Sequence, residues 1–185
     1  MYEGGLSSDF AVGVKLEAEG PLNTSGAIAA TKITFRSNIK IEGNASSVSA
    51  SGLTVLGKTV TIDSFTRVDN GPITNGSHVE VRASLDRNGN VKASRIIVQS
   101  ASSRAILQGP VTSANASAGT LTILGTALVS DGSTQWRASS TSSDAAVSQA
   151  TFYAQLKAIS VVKVRWDNFT ATTAPIKEAE IELGK

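Results

Sequence analysis

The fold is decided by residues 41–98, IEGNASSVSASGLTVLGKTVTIDSFTRVDNGPITNGSHVEVRASLDRNGNVKASRIIV, which hold one complete unit of strands. Apolar and polar residues alternate over 79–82, as is typical of a strand with one buried face. Asn88 and Gly89 follow, and this pair tolerates the positive φ angles of a tight turn. The pattern predicts a β-hairpin whose second strand runs over 91–98.

The hairpin pattern occurs three times in the chain. In the first two copies a glycine, Gly13 or Gly76, stands three residues before the strand. Such a constant offset is the signature of an internal repeat. Equivalent apolar residues of the two strands are 17 positions apart in every copy: Leu16 to Ile33, Val79 to Ile96, and Val164 to Ile181.

The front half of the unit occurs twice. Leu-Thr-Val-Leu-Gly at 53–57 matches Leu-Thr-Ile-Leu-Gly at 121–125, and Asp63 and Asp131 follow at the same distance. A complete unit therefore has three strands, a longer connection and a two-stranded hairpin. Five strands in this arrangement are typical of a small barrel. We predict a mainly all-β fold of tandem five-stranded OB-like or SH3-like barrels, with one helix inserted in the last unit.

These motifs resemble a known family. The strand that follows Gly76, the strand at 53–57 and the Asp-x-x-Thr step at 63–66 are similar to tandem OB-like domains of unknown function found in secreted and envelope-anchored bacterial proteins. The resemblance covers residues 12–130 well and is weaker over 131–163. It implies a β-barrel module with an extracytoplasmic location (secreted, periplasmic or at the cell surface), and it supplies no catalytic residues.

Charge and composition exclude several classes of function. The 17 basic and 15 acidic residues nearly balance, and no basic run exceeds two residues, which argues against a nucleic-acid or anionic-membrane partner. Cysteine is absent, so thiolate metal sites and disulfides are excluded. No segment is apolar over a length that would span a membrane. We expect any export signal to have been removed, and the half unit at the N-terminus to belong to a longer repeat protein.

The repeat divides the chain into three parts. Residues 1–38 form an N-terminal loop and an orphan β-hairpin, 39–100 the first barrel, and 101–185 the second barrel. Apolar residues at three- and four-residue steps predict a helical insertion at about 143–158, preceded by N-cap candidates at 141–144. The orphan hairpin has two interpretations. It pairs onto the edge of the central barrel, which we favour, or it adds to a neighbouring molecule by β-augmentation.

Aromatic residues of the second barrel are candidates for ligand stacking. Exposed rings on a barrel face can stack sugars or bases, whereas buried rings would cover the helix and the core of the enlarged unit. We favour the core interpretation. The residues concerned are Trp136, Tyr153, Trp166 and Phe169.

Titratable residues form no catalytic or metal-binding constellation. His78 is the single histidine, has no triad context, and is expected on a solvated strand face. Asp63 and Asp131 each precede a threonine by three residues, which predicts a turn-closing role rather than acid–base chemistry. We therefore expect no enzyme activity, no catalytic residues, no bound metal and no cofactor.

The sequence favours a non-enzymatic structural or interaction module that binds a protein partner or self-associates through the orphan hairpin. Its strand-addition interface is predicted to comprise Leu16, Ala18, Ile28, Ile33 and Phe35. The alternative is an OB-type binding module. Carbohydrate or single-stranded nucleic acid would be its ligand, and it requires exposed aromatic rings on a barrel face.

Overall fold

A computed structural model describes residues 1–4, 6–10, 14–139, 144–157 and 160–182. They form a small N-terminal sheet followed by two strand barrels that share one continuous sheet. The prediction of a mainly β fold with tandem small barrels and one inserted helix is confirmed. No described helix has the length and apolar character that crossing a membrane requires.

The N-terminal sheet contains the predicted hairpin and one further strand. Strands β2 (Lys15–Glu19) and β3 (Lys32–Arg36) are antiparallel, and β1 (Tyr2–Glu3) runs parallel to β3 on its other side. A short 3-10 turn (Ser7–Asp9) lies between β1 and β2. The sheet order is therefore β1-β3-β2.

The first barrel closes on itself. Its strands are β4 (Ile39–Ser49), β5 (Gly52–Val55), β6 (Lys58–Thr61), β7 (Arg67–Asp69), β8 (His78–Leu85) and β9 (Val91–Gln99). All of them except β7 have an antiparallel neighbour, and β6 and β7 both pair with β9 in parallel, which closes the ring. Closure removes the free strand edges that invite aggregation.

The second barrel repeats this plan with partial closure. Its elements are β10 (Ala105–Asn115), β11 (Thr120–Ile123), β12 (Thr126–Val129), β13 (Gln135–Ser139), β14 (Asp144–Val147), α1 (Gln149–Gln155), β15 (Val161–Trp166) and β16 (Glu178–Glu182). Strand β13 pairs in parallel with β16, as β7 does with β9. Where the first barrel pairs β6 with β9, the second has a single backbone hydrogen bond, from the N–H of Ile176 to the carbonyl of Val129 at 3.0 Å.

The inserted helix is shorter than the predicted 143–158. It begins after Ser148, whose Oγ accepts a hydrogen bond from the N–H of Thr151 at 3.1 Å, and it ends at Gln155. Residues 144–147 instead form β14, because pairing with the free edge of β13 outweighs their helical periodicity. The proposed caps at 141–143 lie outside the described residues.

The third hairpin copy is two residues out of the register that its spacing predicted. Val164 pairs with Ala179, so it corresponds to Val81, which pairs with Ile96. The 17-residue spacing predicts instead that Val164 is equivalent to Val79. A slip of two keeps the same residues on the buried face of a strand, so apolar alternation alone does not detect it.

The two barrels meet through their first strands, and the pairing is symmetric. Ile41 of β4 is paired antiparallel with Leu107 of β10, and these are equivalent positions of the two units. The neighbouring pairs, Lys40 with Gln108 and Glu42 with Ile106, are also exchanged by a two-fold rotation. The barrels are thus related as in an isologous dimer, within one chain.

The N-terminal sheet is the back half of a barrel. Ile33 pairs with Ala18 and with Tyr2, as Ile96 pairs with Val81 and with Val68 in the first barrel. We call β1, β2 and β3 with their connections the half barrel. Its third strand, β1, was missed because two residues carry no periodic pattern.

The half barrel does not pair with the first barrel as predicted. Among the described residues, it contacts that barrel through an ion pair of Asp9 with Lys92 at 3.0 Å, and Ser37, which follows β3, shares a 2.7 Å hydroxyl contact with Ser94. The half barrel forms a separate three-stranded sheet, and β9 is already flanked by β8, β6 and β7.

Candidate functional site

The half barrel exposes an apolar face that is buried in the complete barrel. Leu16 is 40 % exposed, whereas its counterpart Val79 is 0 % exposed. In the first barrel, β4 to β6 complete the ring that covers this face. Among the described residues no equivalent of those strands covers the half barrel. Exposed apolar faces of this kind mark interaction surfaces.

An aromatic cluster covers one part of this face. Phe10 stacks on Phe35 with ring centroids 5.5 Å apart, and Tyr2 meets the edge of Phe10 at 5.6 Å. The 3-10 turn before Phe10 is held by Asp9, whose carboxylate accepts from the N–H of Leu6 at 2.9 Å. This packing buries Phe35 but leaves Tyr2 about half exposed.

The outer edge of β2 has no strand beside it among the described residues. The corresponding edge of β8 pairs with β4 over six residues, 78–83. This edge therefore presents backbone donors and acceptors in the arrangement that strand addition uses.

The charges beside this edge are held within the half barrel. Glu17 pairs with Arg36, and Lys32 lies 3.0 Å from Glu3 and 3.3 Å from Glu19. A hydrogen bond from Lys32 lowers the pKa of Glu3, and the two glutamates raise the pKa of Lys32. All of these side chains remain exposed enough for water to screen them.

The structure brings together four of the five predicted strand-addition residues. Leu16 pairs with Phe35, and Ala18 pairs with Ile33, in adjacent rows of the β2–β3 ladder. Ile28 lies apart, in an isolated bridge to Leu22 within the connection. The structure therefore places Ile28 outside the surface that the other four share.

The predicted stacking aromatics lie in the core of the second barrel. Trp136 is 6 % exposed and packs against Phe152 at 4.8 Å and Tyr153 at 5.4 Å. Trp166 is 2 % exposed, and its Nε1–H donates to the carbonyl of Ala174 at 3.0 Å. Both indoles are buried, whereas ligand stacking would require an exposed ring.

The other two aromatics support the same packing. Phe169 meets Trp166 edge-on at 5.4 Å, and the hydroxyl of Tyr153 donates to the carbonyl of Thr120 at 3.1 Å. Burial raises the pKa of Tyr153 to about 12. Phe152, fully buried on α1, was not among the predicted residues although its helical spacing signals a core position.

His78 is buried, so its predicted place on a solvated face is wrong. It is 3 % exposed, with Nδ1 3.0 Å from Asn44 Oδ1 and Nε2 3.6 Å from Glu42 Oε1. Glu42 is fully buried and accepts from Arg104 at 2.7 and 2.8 Å. The joining of β4 to β10 covers these groups, and single-strand alternation does not reveal such a junction.

The two aspartates close turns, as predicted. Asp63 accepts from the N–H of Phe65 at 2.9 Å, and Thr66 Oγ1 donates to the carbonyl of Ala93 at 2.8 Å. Asp131 and Thr134 repeat this arrangement in the second barrel. Hydrogen bonds from Ser133 lower the pKa of Asp131.

Metal chemistry has no evident location in the described part of the chain. No group of three or more His, Cys, Asp or Glu side chains is placed there to hold a metal ion. Beside His78, the carboxylate of Glu42 is already bonded to Arg104.

Comparison with known proteins identifies one family. No curated protein and no solved structure matches the chain. A family model described as a domain of unknown function, DUF5666, matches residues 42–97 and 108–171, one segment in each barrel. The two segments together cover more than half of the chain, so the protein belongs to the DUF5666 family and carries this domain twice in tandem.

Proposed function

We propose that this protein is a non-enzymatic structural and interaction module of an exported bacterial repeat protein, and that it self-associates by strand addition at β2. The carrying observation is the outer edge of β2, which has no partner among the described strands although the equivalent edge of β8 pairs with β4. Composition and the resemblance noted above support the extracytoplasmic, bacterial setting.

A second copy of β2 is the best partner for this edge. In an antiparallel pairing centred on Glu17, Lys15 of each copy lies opposite Glu19 of the other, and Leu16 lies opposite Ala18. Opposite charges in directly facing positions stabilise strand pairs. The ion pair between Glu17 and Arg36 in each copy offsets the repulsion between the two Glu17 carboxylates at the centre.

The chain already uses this type of contact once. Strands β4 and β10 are equivalent, antiparallel and paired about a two-fold axis at Ile41 and Leu107. Pairing of β2 with β2 would extend the half barrel into a six-stranded sheet. It would also remove the exposed Leu16 side chains from water, which stabilises association.

The test is the solution mass of the 19.0 kDa chain over a dilution series, measured by light scattering after size exclusion. We expect a reversible, concentration-dependent dimer. Lys15→Glu or Glu19→Lys alone places like charges opposite each other twice per dimer and weakens association by roughly 2- to 30-fold. The double variant restores the opposite charges and should recover the dimer.

Lys157→Glu, a charge reversal at an exposed position on the second barrel, is the matched control and should leave association unchanged. A monomer at every concentration would overturn the proposal. A dimer that the double variant fails to restore would show that association uses another surface.

A further inference from the structure

A cleft lies between the two barrels beside the symmetric strand pairing. Its volume is about 360 Å³, which is within the range of small-molecule sites. Leu85 and Val91 contribute apolar walls from the first barrel, and Pro110 and Leu124 contribute them from the second. Both barrels are needed to form it, and the β4–β10 pairing fixes their relative position.

Among the residues that the structure describes, Lys58 is the one charged residue lining this cleft. Its Nζ donates to the carbonyl of Leu124 across the junction at 2.9 Å, which uses one of three N–H donors. No carboxylate of the described residues forms an ion pair with it. Burial lowers the pKa of Lys58, because the loss of hydration disfavours the charged ammonium.

We infer that the inter-barrel cleft binds a small monocarboxylate with an apolar tail. The carboxylate would accept hydrogen bonds from the two remaining donors of Lys58 and neutralise its charge. The tail would cover Leu85 and Pro110, which are only partly buried in the structure. A partly desolvated ammonium group beside apolar walls favours this ligand over an uncharged or cationic one.

The two-fold relationship provides an internal comparison. The position equivalent to Lys58 is Thr126 in the second barrel, which cannot carry a charge. The cleft on the opposite side of the junction is lined by Leu56, Phe169 and Arg104. There Arg104 is already bonded to the buried Glu42, so we expect no carboxylate binding on that side.

The test is an amide NMR titration of the intact chain with heptanoate, with heptanol and heptylamine as size-matched probes. We expect saturable shifts from heptanoate at Lys58, Leu85 and Leu124, and none at the opposite cleft around Leu56. Heptylamine should not bind. Because a hydrogen bond to a charged group contributes about 1.5–3 kcal/mol, Lys58→Met should weaken heptanoate about tenfold or more.

Lys157→Met removes the same charge at an exposed position and should leave the affinity for heptanoate unchanged. The spectrum of Lys58→Met shows at the same time whether the variant is folded. If Lys58→Met unfolds, Lys58→Arg retains the charge and should retain binding. Three results would overturn the inference: no saturable shift with heptanoate, equal binding of heptylamine, or unchanged affinity in folded Lys58→Met.

Discussion

Leu56 closes over Gly43: a Cβ atom on residue 43 would lie 2.9 Å from Leu56 Cδ2. Leu124 covers Gly109 in the same way, because a Cβ atom on residue 109 would lie 3.0 Å from Leu124 Cγ. Both leucines have a φ of 50°, a region that costs an L-residue about 1–2 kcal/mol. Burying a leucine side chain fully contributes about 1.5–3 kcal/mol, so the burial of Leu56 offsets this strain, whereas Leu124 is only partly buried and offsets less of it. The Leu-Gly turn and the first-strand glycine therefore act as one unit in each barrel.

Gly43→Val should destabilise the protein by about 1–3 kcal/mol, because the added methyl groups displace Leu56 from its site. Urea unfolding followed by circular dichroism measures this. Gly43→Val/Leu56→Ala provides the matched variant, since it makes room for the valine and should cost less than the sum of the single changes. Additive costs would show that the two residues do not compete for one space.

Arg104→Met should destabilise the chain more than Glu42→Gln does. Among the described residues, the arginine change leaves the buried Glu42 carboxylate with one lysine or arginine within ion-pair distance, Lys40 at 3.5 Å. Breaking a buried pair costs about 3–5 kcal/mol, and roughly half of that is expected here because Arg104 is about half exposed.

Glu42→Gln instead introduces the residue that the second barrel has at the equivalent Gln108. It removes the charge and keeps the shape, so its cost should be near 1 kcal/mol, the value of a typical hydrogen bond. Thermal and urea unfolding at neutral pH rank the two variants. The reverse order would mean that the Glu42 charge does not depend on Arg104.

Glu178 should make stability depend on pH in the acid range. Burial alone would raise its pKa, but hydrogen bonds from Arg137 at 3.0 Å and Arg165 at 3.4 Å lower the pKa below its ordinary 4.5. Because the folded-state pKa is depressed, this stabilisation is present above pH 4.5 and is lost as pH falls through the folded value.

Glu178→Gln should therefore lower the free energy of unfolding at neutral pH and flatten its decline below pH 4.5. Urea unfolding at a series of pH values measures both effects. Arg137→Met should also lower the free energy of unfolding at neutral pH and flatten its decline in acid. If the free energy of unfolding falls in acid as steeply in Glu178→Gln as in the wild type, other carboxylates cause the effect.

Tyr153 should ionise only near pH 12, because burial raises its pKa from 10.0. A raised folded-state pKa means that stability is complete below pH 10.0 and falls as pH rises toward 12. In a pH titration followed by tyrosinate absorbance, the rise near pH 12 should be absent in Tyr153→Phe. The same variant loses the hydrogen bond to Thr120 and about 0.5–1.5 kcal/mol at neutral pH. An unchanged titration curve would contradict this prediction.

The sequence predicts the positions of some residues of the candidate surfaces and not of others. Leu16, Ala18, Ile33 and Phe35 share a paired strand ladder because their alternation is a local signal. Ile28 follows the same apolar pattern but lies in the connection, since β3 begins at Lys32, later than alternation suggests. The cleft around Lys58 was missed altogether, because its walls come from strands far apart in the chain.

The sequence by itself determined the repeat, the hairpin turns, the Asp-x-x-Thr steps and the small-barrel architecture. Each depends on side-chain periodicity or on turn chemistry within a few residues. Only the tertiary structure decided the two-fold pairing of β4 with β10, the burial of His78 and Glu42, and the outer edge of β2, beside which no described strand lies. These features depend on which strand edges meet. That choice is made by packing and hydrogen bonding between segments distant in sequence, and it leaves no periodic trace in either segment.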